Sequence, residues 1–206
     1  MSEFRLDPRQ ARRAFERAAR AGADAAVLQT EVERRMLERL DLVRLQPRRI
    51  LDAGCGTGRG LGLLRRRYSR ADLLGVDFAR DAVRAAKRGE SPVSRVWRML
   101  GGPARLHLCA DFSRLPLRAG YVDMVWSNLA LAWAADPLAA LRELHRVLAR
   151  GGLLMISSYG PDTLKELRAA FGAVRPAAMM ISAGLADPRM RIEIEVTAFR
   201  QGSSSS

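Results

Sequence analysis

The residues best suited to chemistry lie in one short run, Asp52-Ala-Gly-Cys-Gly-Thr-Gly58. Gly54, Gly56 and Gly58 alternate with larger residues; glycine permits positive φ and lets a ligand approach the backbone closely. A helix starting behind such a turn offers its free N–H groups. The spacing differs from the G-x-G-x-x-G turn of dinucleotide enzymes, and an acid stands two residues before the first glycine. That acid suits a ligand with an ammonium group better than a pyrophosphate. Asp77 follows 25 residues later, and a carboxylate there can accept both hydroxyls of a ribose. Phe78 can lie against an adenine face. In Cys109-Ala-Asp-Phe112, Asp111 can accept the amino group of the base, with Phe112 beside it. Ser127-Asn128 runs into Leu129-Ala-Leu-Ala-Trp133; here Asn128 can orient a cofactor or acceptor and Trp133 can wall an acceptor pocket. Tyr159 is a further candidate for that pocket. No Ser-His-Asp or Cys-His arrangement can be argued, and His107 and His145 read as structural. Cys55 and Cys109 have no metal or disulfide spacing and read as reduced thiols.

These positions are useful only if the chain brings them to one edge, and the pattern of elements predicts that it does. Strand readings fall at Ile50–Ala53, Leu73–Val76, Leu106–Ala110, Val122–Ser127 and Leu153–Ser157, and each acid or amide above ends one of the first four. Helix readings fall between them, at Thr57–Tyr68, Asp81–Arg88 and Pro137–Leu148, the last with Leu138, Leu141, Leu144 and Leu148 at helical spacing. A further helix is read at Asp162–Val174, with Asp162 as N-cap. Ser91–Pro103 reads as a loop-like insertion carrying Trp97. Two helices precede the first strand, one from about Asp7 to Arg20 and one from about Asp24 to Val43, with Leu28, Val32, Met36, Leu40 and Val43 on one face. The expectation is an α/β fold of Rossmann-like type. It has a mostly parallel sheet covered on both faces, with ligands beyond the C-terminal ends of its strands. Residues 1–47 are expected to form a helical layer, 48–200 the main domain, with Arg191–Phe199 as one more strand, and 201–206 a polar tail.

Composition sets the wider bounds. The chain has 206 residues, 48% hydrophobic and 28% charged, as expected of one globular domain. Met1 to Arg20 is dense in charge and lacks an apolar core, so no signal peptide is expected. No apolar run is long enough to span a bilayer, and a cytoplasmic location is the expectation. The net charge is +13, which attracts polyanions. Nucleic acid is disfavoured as the partner, because no basic stripe is interleaved with aromatics.

Ile50-Leu-Asp-Ala-Gly-Cys-Gly-Thr-Gly58, Leu74-Gly-Val-Asp77 and Asp111 resemble the motifs of class I S-adenosylmethionine-dependent methyltransferases. Asp123-Met-Val-Trp-Ser-Asn-Leu-Ala-Leu131, Leu141-Arg-Glu-Leu-His-Arg-Val-Leu148 and Gly160-Pro-Asp-Thr-Leu-Lys-Glu-Leu-Arg168 look like malonyl-[acyl-carrier protein] O-methyltransferases of biotin synthesis. The likeness extends to relatives that assist assembly of respiratory complex I. It implies S-adenosylmethionine as cofactor and a carboxylate on an acidic acyl carrier protein as acceptor, docked by arginines such as Arg142, Arg146 and Arg150. The chain departs from the family's pattern at Gly22, where a tyrosine is usual, and at Ala132, where a polar residue is usual. Val174–Ala183 is shorter than the family's lid region, so a shortened C-terminus is expected. The alternatives are a non-catalytic binding or assembly protein of the same fold, or a methyltransferase or hydroxylase acting on another acceptor.

Overall fold

The structure, a computed structural model, describes residues 12–17, 27–90, 92, 96, 99–158 and 198–199. Residues 12–17 are helical. Then come α1 (Val27–Arg39), a 3-10 turn (Leu40–Leu42), β1 (Arg49–Ala53), α2 (Arg59–Arg67), β2 (Asp72–Asp77), α3 (Arg80–Arg88) and β3 (Arg105–Cys109). β4 (Val122–Asn128), a second 3-10 turn (Leu131–Trp133), α4 (Pro137–Val147), β5 (Leu148–Ser157) and β6 (Ala198–Phe199) complete the described chain. The strands form one sheet in the order β3-β2-β1-β4-β5-β6. Only the last pairing, β5 with β6, is antiparallel. Strand order reverses between β1 and β4, where a doubly wound sheet opens its ligand crevice.

Successive residues of a strand point to opposite faces of the sheet. On one face Ile50, Leu73, Met124, Trp126 and Leu153 pack against Val32 and Met36 of α1 and Leu61 and Leu64 of α2. On the other, Leu51, Ala53, Leu74, Val76 and Val125 pack against Ala140, Leu144 and Val147 of α4. Burial on both faces explains why the central strands read as apolar runs rather than as alternating patterns. The α1 face is as expected: Val32, Met36 and Leu40 are fully buried, with Leu28 and Val43 packed against the same core. Gly75 opposes Asp52 in the β1–β2 register. A Cβ there would lie 2.6 Å from Leu61 Cδ1 and 3.0 Å from Cys55 Sγ, so glycine is what lets α2 seat on the sheet.

Two expectations need correction. The stretch after α3 is not loop-like: Pro92, Val96 and Met99 are helical, and the Leu100 N–H donates to the Val96 carbonyl at 3.1 Å. The Ser-Pro pair at its start is a helix-opening pattern; Trp97 lies outside the described residues. In α4 the inward stripe is Ala140, Leu144 and Val147, while Leu138 is 56% exposed. At six residues from Leu144 it lies about 120° round the helix. Asp136 caps α4 by accepting the Ala139 N–H at 2.9 Å, with Pro137 in the first turn. Among the described residues no helix is long and apolar enough to cross a membrane. Gly22, the expected helix at Asp162–Val174, the shortened segment Val174–Ala183 and the tail 201–206 lie outside the described residues, and of the expected last strand only 198–199 is described.

Two leucines separate burial from mere spacing. Leu64→Ala removes a fully buried side chain and is expected to lower unfolding free energy by about 2–5 kcal/mol. Leu138→Ala is expected to change it by no more than about 0.5 kcal/mol. Urea unfolding of the two variants checks both.

Candidate functional site

Each carboxylate named from the sequence ends a strand on the C-terminal rim. Asp52 is in β1, Asp77 closes β2, and Asp111 lies two residues beyond β3. They differ sharply in setting. Asp52 and Asp77 are 3% and 6% exposed, whereas Asp111 is exposed. Asp77 Oδ2 accepts the Gly56 N–H at 2.9 Å and Oδ1 accepts the Ala79 N–H at 2.8 Å. Burial pushes its carboxyl above the ordinary range, and these two N–H donors oppose that. Burial raises Asp52 strongly, the nearby negative charges of Glu33 and Asp77 add to it, and Arg105 counters in part. Asp111 Oδ1 accepts the Ser113 N–H at 2.8 Å, and this tightens the turn that carries buried Phe112.

The glycine turn is held by its own backbone geometry as well as by the Asp77 carboxylate. Gly54, Gly56 and Gly58 have φ of +84°, +53° and +86°, a region closed to most L-residues. The Gly54 and Cys55 N–H groups donate to the Val76 carbonyl, at 2.8 and 3.0 Å, and fasten the turn to β2. A Cβ on Gly54 would lie 2.2 Å from Ala130 Cβ, so the segment after β4 presses directly on the turn. Phe112 backs the same spot, with its ring 3.9 Å from that Cβ position. A Cβ on Gly56 would meet nothing within 4 Å. That open side, next to the Asp77 carboxylate, is where a ligand can lie on the backbone.

The end of β4 is tightly tied. Ser127 Oγ donates to the Ala53 carbonyl at 2.8 Å. Asn128 Nδ2 donates to the Gln29 carbonyl of α1 at 2.9 Å, and its Oδ1 accepts the Ser157 hydroxyl at 2.9 Å. The Leu129 N–H donates to Ser157 Oγ and to the Ser157 carbonyl, at 3.0 and 3.1 Å. Leu129 itself has φ +54°, unusual for a branched residue. Asn128 therefore knits α1, β4 and β5 together at the rim.

Phe78 and Trp133 both meet one further aromatic ring, whose place at the site sequence reasoning did not anticipate. Phe15, in the helical residues 12–17, stands edge-on to Phe78 at 5.4 Å and to Trp133 at 5.0 Å between centroids. Arg12 Nε donates to the Phe78 carbonyl at 2.9 Å. The N-terminal segment thus crosses the rim from β2 to the turn after β4. Tyr159 lies outside the described residues. Among the described residues no cluster of His, Cys, Asp and Glu could hold a metal ion.

Sequence reasoning also missed Glu33, buried on α1 with Oε2 2.5 Å from Arg59, and the network of Ser127 and Ser157. Glu33 stands at helical spacing with Met36 and Leu40, which was a readable signal of burial. The serines gave none, because their roles depend on the register of β4 with β1 and with β5. The two carboxylates, the open face at Gly56 and the aromatic wall fit S-adenosylmethionine.

The turn makes a stability prediction. Gly54→Ala combines positive φ with a contact that cannot be relieved without moving β4, and is expected to cost about 2 kcal/mol or more. Gly56→Ala meets open space and is expected to cost about 1 kcal/mol from φ alone. Equilibrium denaturation of both variants distinguishes the two origins.

Comparison with known proteins agrees with this geometry. The family described as "Methyltransferase domain" matches residues 51–156. A malonyl-[acyl-carrier protein] O-methyltransferase of Laribacter hongkongensis is 45% identical over 203 residues, covering 92% of this chain and 68% of that protein. One from Gallionella capsiferriformans is 45% identical over 208 residues, covering 94% and 70%. Among solved structures, the putative methyltransferase in complex with the Haloferax volcanii Trm112 activator aligns with a TM-score of 0.61. Its identity is 24%, with 76% of this chain and 66% of that one covered. The plantazolicin methyltransferase BpumL, solved with S-adenosylhomocysteine, aligns at TM-score 0.54 and 18% identity, covering 80% and 64%. At these identities the solved structures establish the fold, a Rossmann-like methyltransferase sheet. By the matched domain and by the length and identity of its curated relatives, the chain belongs to the malonyl-[acyl-carrier protein] O-methyltransferase family of class I methyltransferases.

Proposed function

We propose that this protein transfers a methyl group from S-adenosylmethionine to the free carboxylate of a malonyl group carried on an acyl carrier protein, in biotin synthesis. The observation that supports it best is the pairing of two buried rim carboxylates with an open glycine face, in a chain whose relatives carry that activity in their names. When bound, S-adenosylmethionine supplies an electrophilic methyl group on a sulfonium. The chain's own part is to bind, orient and exclude water. Asp77 accepts ribose hydroxyls while its carboxylate is held in place by the Gly56 and Ala79 N–H groups. Asp52 sets negative charge beside the ammonium of the amino-acid arm. Phe15, Phe78 and Trp133 form a continuous apolar wall at the mouth. A malonyl carboxylate is already ionised at neutral pH, so no residue has to take a proton from it. Rate then comes from alignment in a pocket poor in water.

The acceptor is acidic and the chain carries net charge +13, so the encounter is steered electrostatically. Of the arginines expected to dock the carrier, Arg146 on α4 is engaged by Glu143 through two contacts of 2.7 Å. Arg142 on α4 and Arg150 on β5 are exposed. Labelled methyl transfer to purified malonyl acyl carrier protein tests the reading. The expected result is a base-labile methyl ester on the carrier, formed more slowly as salt is raised. Cofactor binding without any transfer would contradict it. In the same assay Asp77→Ala is expected to weaken cofactor binding tenfold or more, the loss of about 1.5–3 kcal/mol for hydrogen bonds to a charged group.

A further inference from the structure

Glu33 has no part in the reaction just described, yet it is 4% exposed and its charge is directed inward from α1. A Cβ on Gly60 would stand 2.8 Å from Glu33 Oε1, 2.9 Å from Asp52 Oδ2 and 3.5 Å from Trp126 Nε1. Polar atoms from α1, β1 and β4 therefore converge on one point beneath the glycine turn. Asp52 and Trp126 are register partners, so their side chains leave the sheet on the same face. Trp126 is 1% exposed, and its indole N–H finds no acceptor among the described residues. An indole nitrogen can only donate, so this buried donor adds an unanswered polar group to the region where the two carboxylates meet.

The surrounding charges do not neutralise both acids. Arg59 of α2 pairs with Glu33 through the other oxygen, Oε2, and is itself 43% exposed. Asp77 of β2 adds negative charge, Arg105 of β3 adds positive charge, and the Cys55 thiol is pushed well up by burial and stays neutral. Both carboxylates aim an oxygen at the same buried point beside Gly60, and the negative charge of Glu33 opposes ionisation of Asp52. Burial raises both Asp52 and Glu33, in line with one retained proton.

We propose that Glu33 is a positioning residue that shares one proton with Asp52 in the free protein, and that the ammonium group of the cofactor's amino-acid arm displaces this proton on binding. The inference rests on the reading of Asp52 as the carboxylate that faces that ammonium. The balance is simple: the O–H bond of the pair breaks and the proton goes to solvent. The ammonium, already protonated in solution, brings the positive charge that replaces it. Glu33 remains ionised on Arg59. Binding thus sets the side chain that aims the methyl donor. The pair also loses its proton unaided as pH rises, so proton release on binding is greatest at the acid end and fades toward the alkaline end.

Calorimetric titration of the full chain with S-adenosylhomocysteine, in two buffers of different protonation enthalpy, tests this between about pH 5.5 and 8.5. The expected result is net proton release that falls with pH, and affinity that rises by up to about tenfold per pH unit where release is complete. Glu33→Gln, which keeps the shape but cannot ionise, is expected to show neither. Binding heats independent of buffer at every pH would overturn the inference and leave the cofactor reading standing. Undiminished release in Glu33→Gln would remove Glu33 from it. Failure of the wild type to bind the compound would overturn both. The wild-type titrations decide the matter even if the variant does not fold.

Discussion

Asp52 is 3% exposed in a central strand, one position beyond Leu51 and directly across from Gly75 and Trp126. A carboxylate in such a place costs free energy unless hydrogen bonds, a proton or a cation answer it. The chain accepts that cost at a face otherwise built from Ile50, Met36, Leu61, Leu64 and Trp126. Much of the local sequence follows from this. Gly60 has no side chain because one would strike Asp52 and Glu33. Gly75 has none because Leu61 and Cys55 occupy the space beside it. Glu33 and Arg59 bring an ion pair to the same region. The arrangement keeps a polar group poised where the sheet opens.

The rim is a set of loops, but it is not loosely held. The turn after β1 hangs from the Val76 carbonyl, and the segment after β4 is pinned by both the backbone and the hydroxyl of Ser157. Asn128 ties that segment to α1, so the helical layer and the ligand crevice are mechanically continuous. Across the top, Phe15 touches the aromatic groups of both halves of the crevice. A ligand entering beneath that ring would meet a site whose floor is fixed by strands and whose cover belongs to a separate N-terminal segment. Fixed dipoles and charges below, with a closing apolar surface above, suit a displacement that needs alignment more than proton transfer.

The rim carboxylates were legible because each closes an apolar run too short for a helix, and a parallel sheet puts all such ends on one side. The glycines were legible because their spacing is local. Glu33 was within reach, at helical spacing from Met36 and Leu40, but a charged residue on an arginine-rich helix reads as solvated until the sheet is in place. Asn128 was recognised as a rim residue, yet its bonds to Gln29 and Ser157 cross 99 and 29 positions of sequence and leave no local trace. The Phe15 contact was hidden for the same reason. The leucine spacing in α4 did not say which side of the helix meets the sheet; Ala140, Leu144 and Val147 face it and Leu138 does not.

The central claim is that one rim, at the ends of β1, β2 and β3, receives the cofactor. Hydrogen–deuterium exchange with and without S-adenosylhomocysteine reads it most directly, since bound ligand lowers local opening where it touches the chain. The account predicts slowed exchange concentrated in residues 53–60, 77–80 and 110–114, with the far end of the sheet, residues 48–50 and 120–123, unchanged. Protection spread evenly over the sheet, or centred away from the glycine turn, would contradict it.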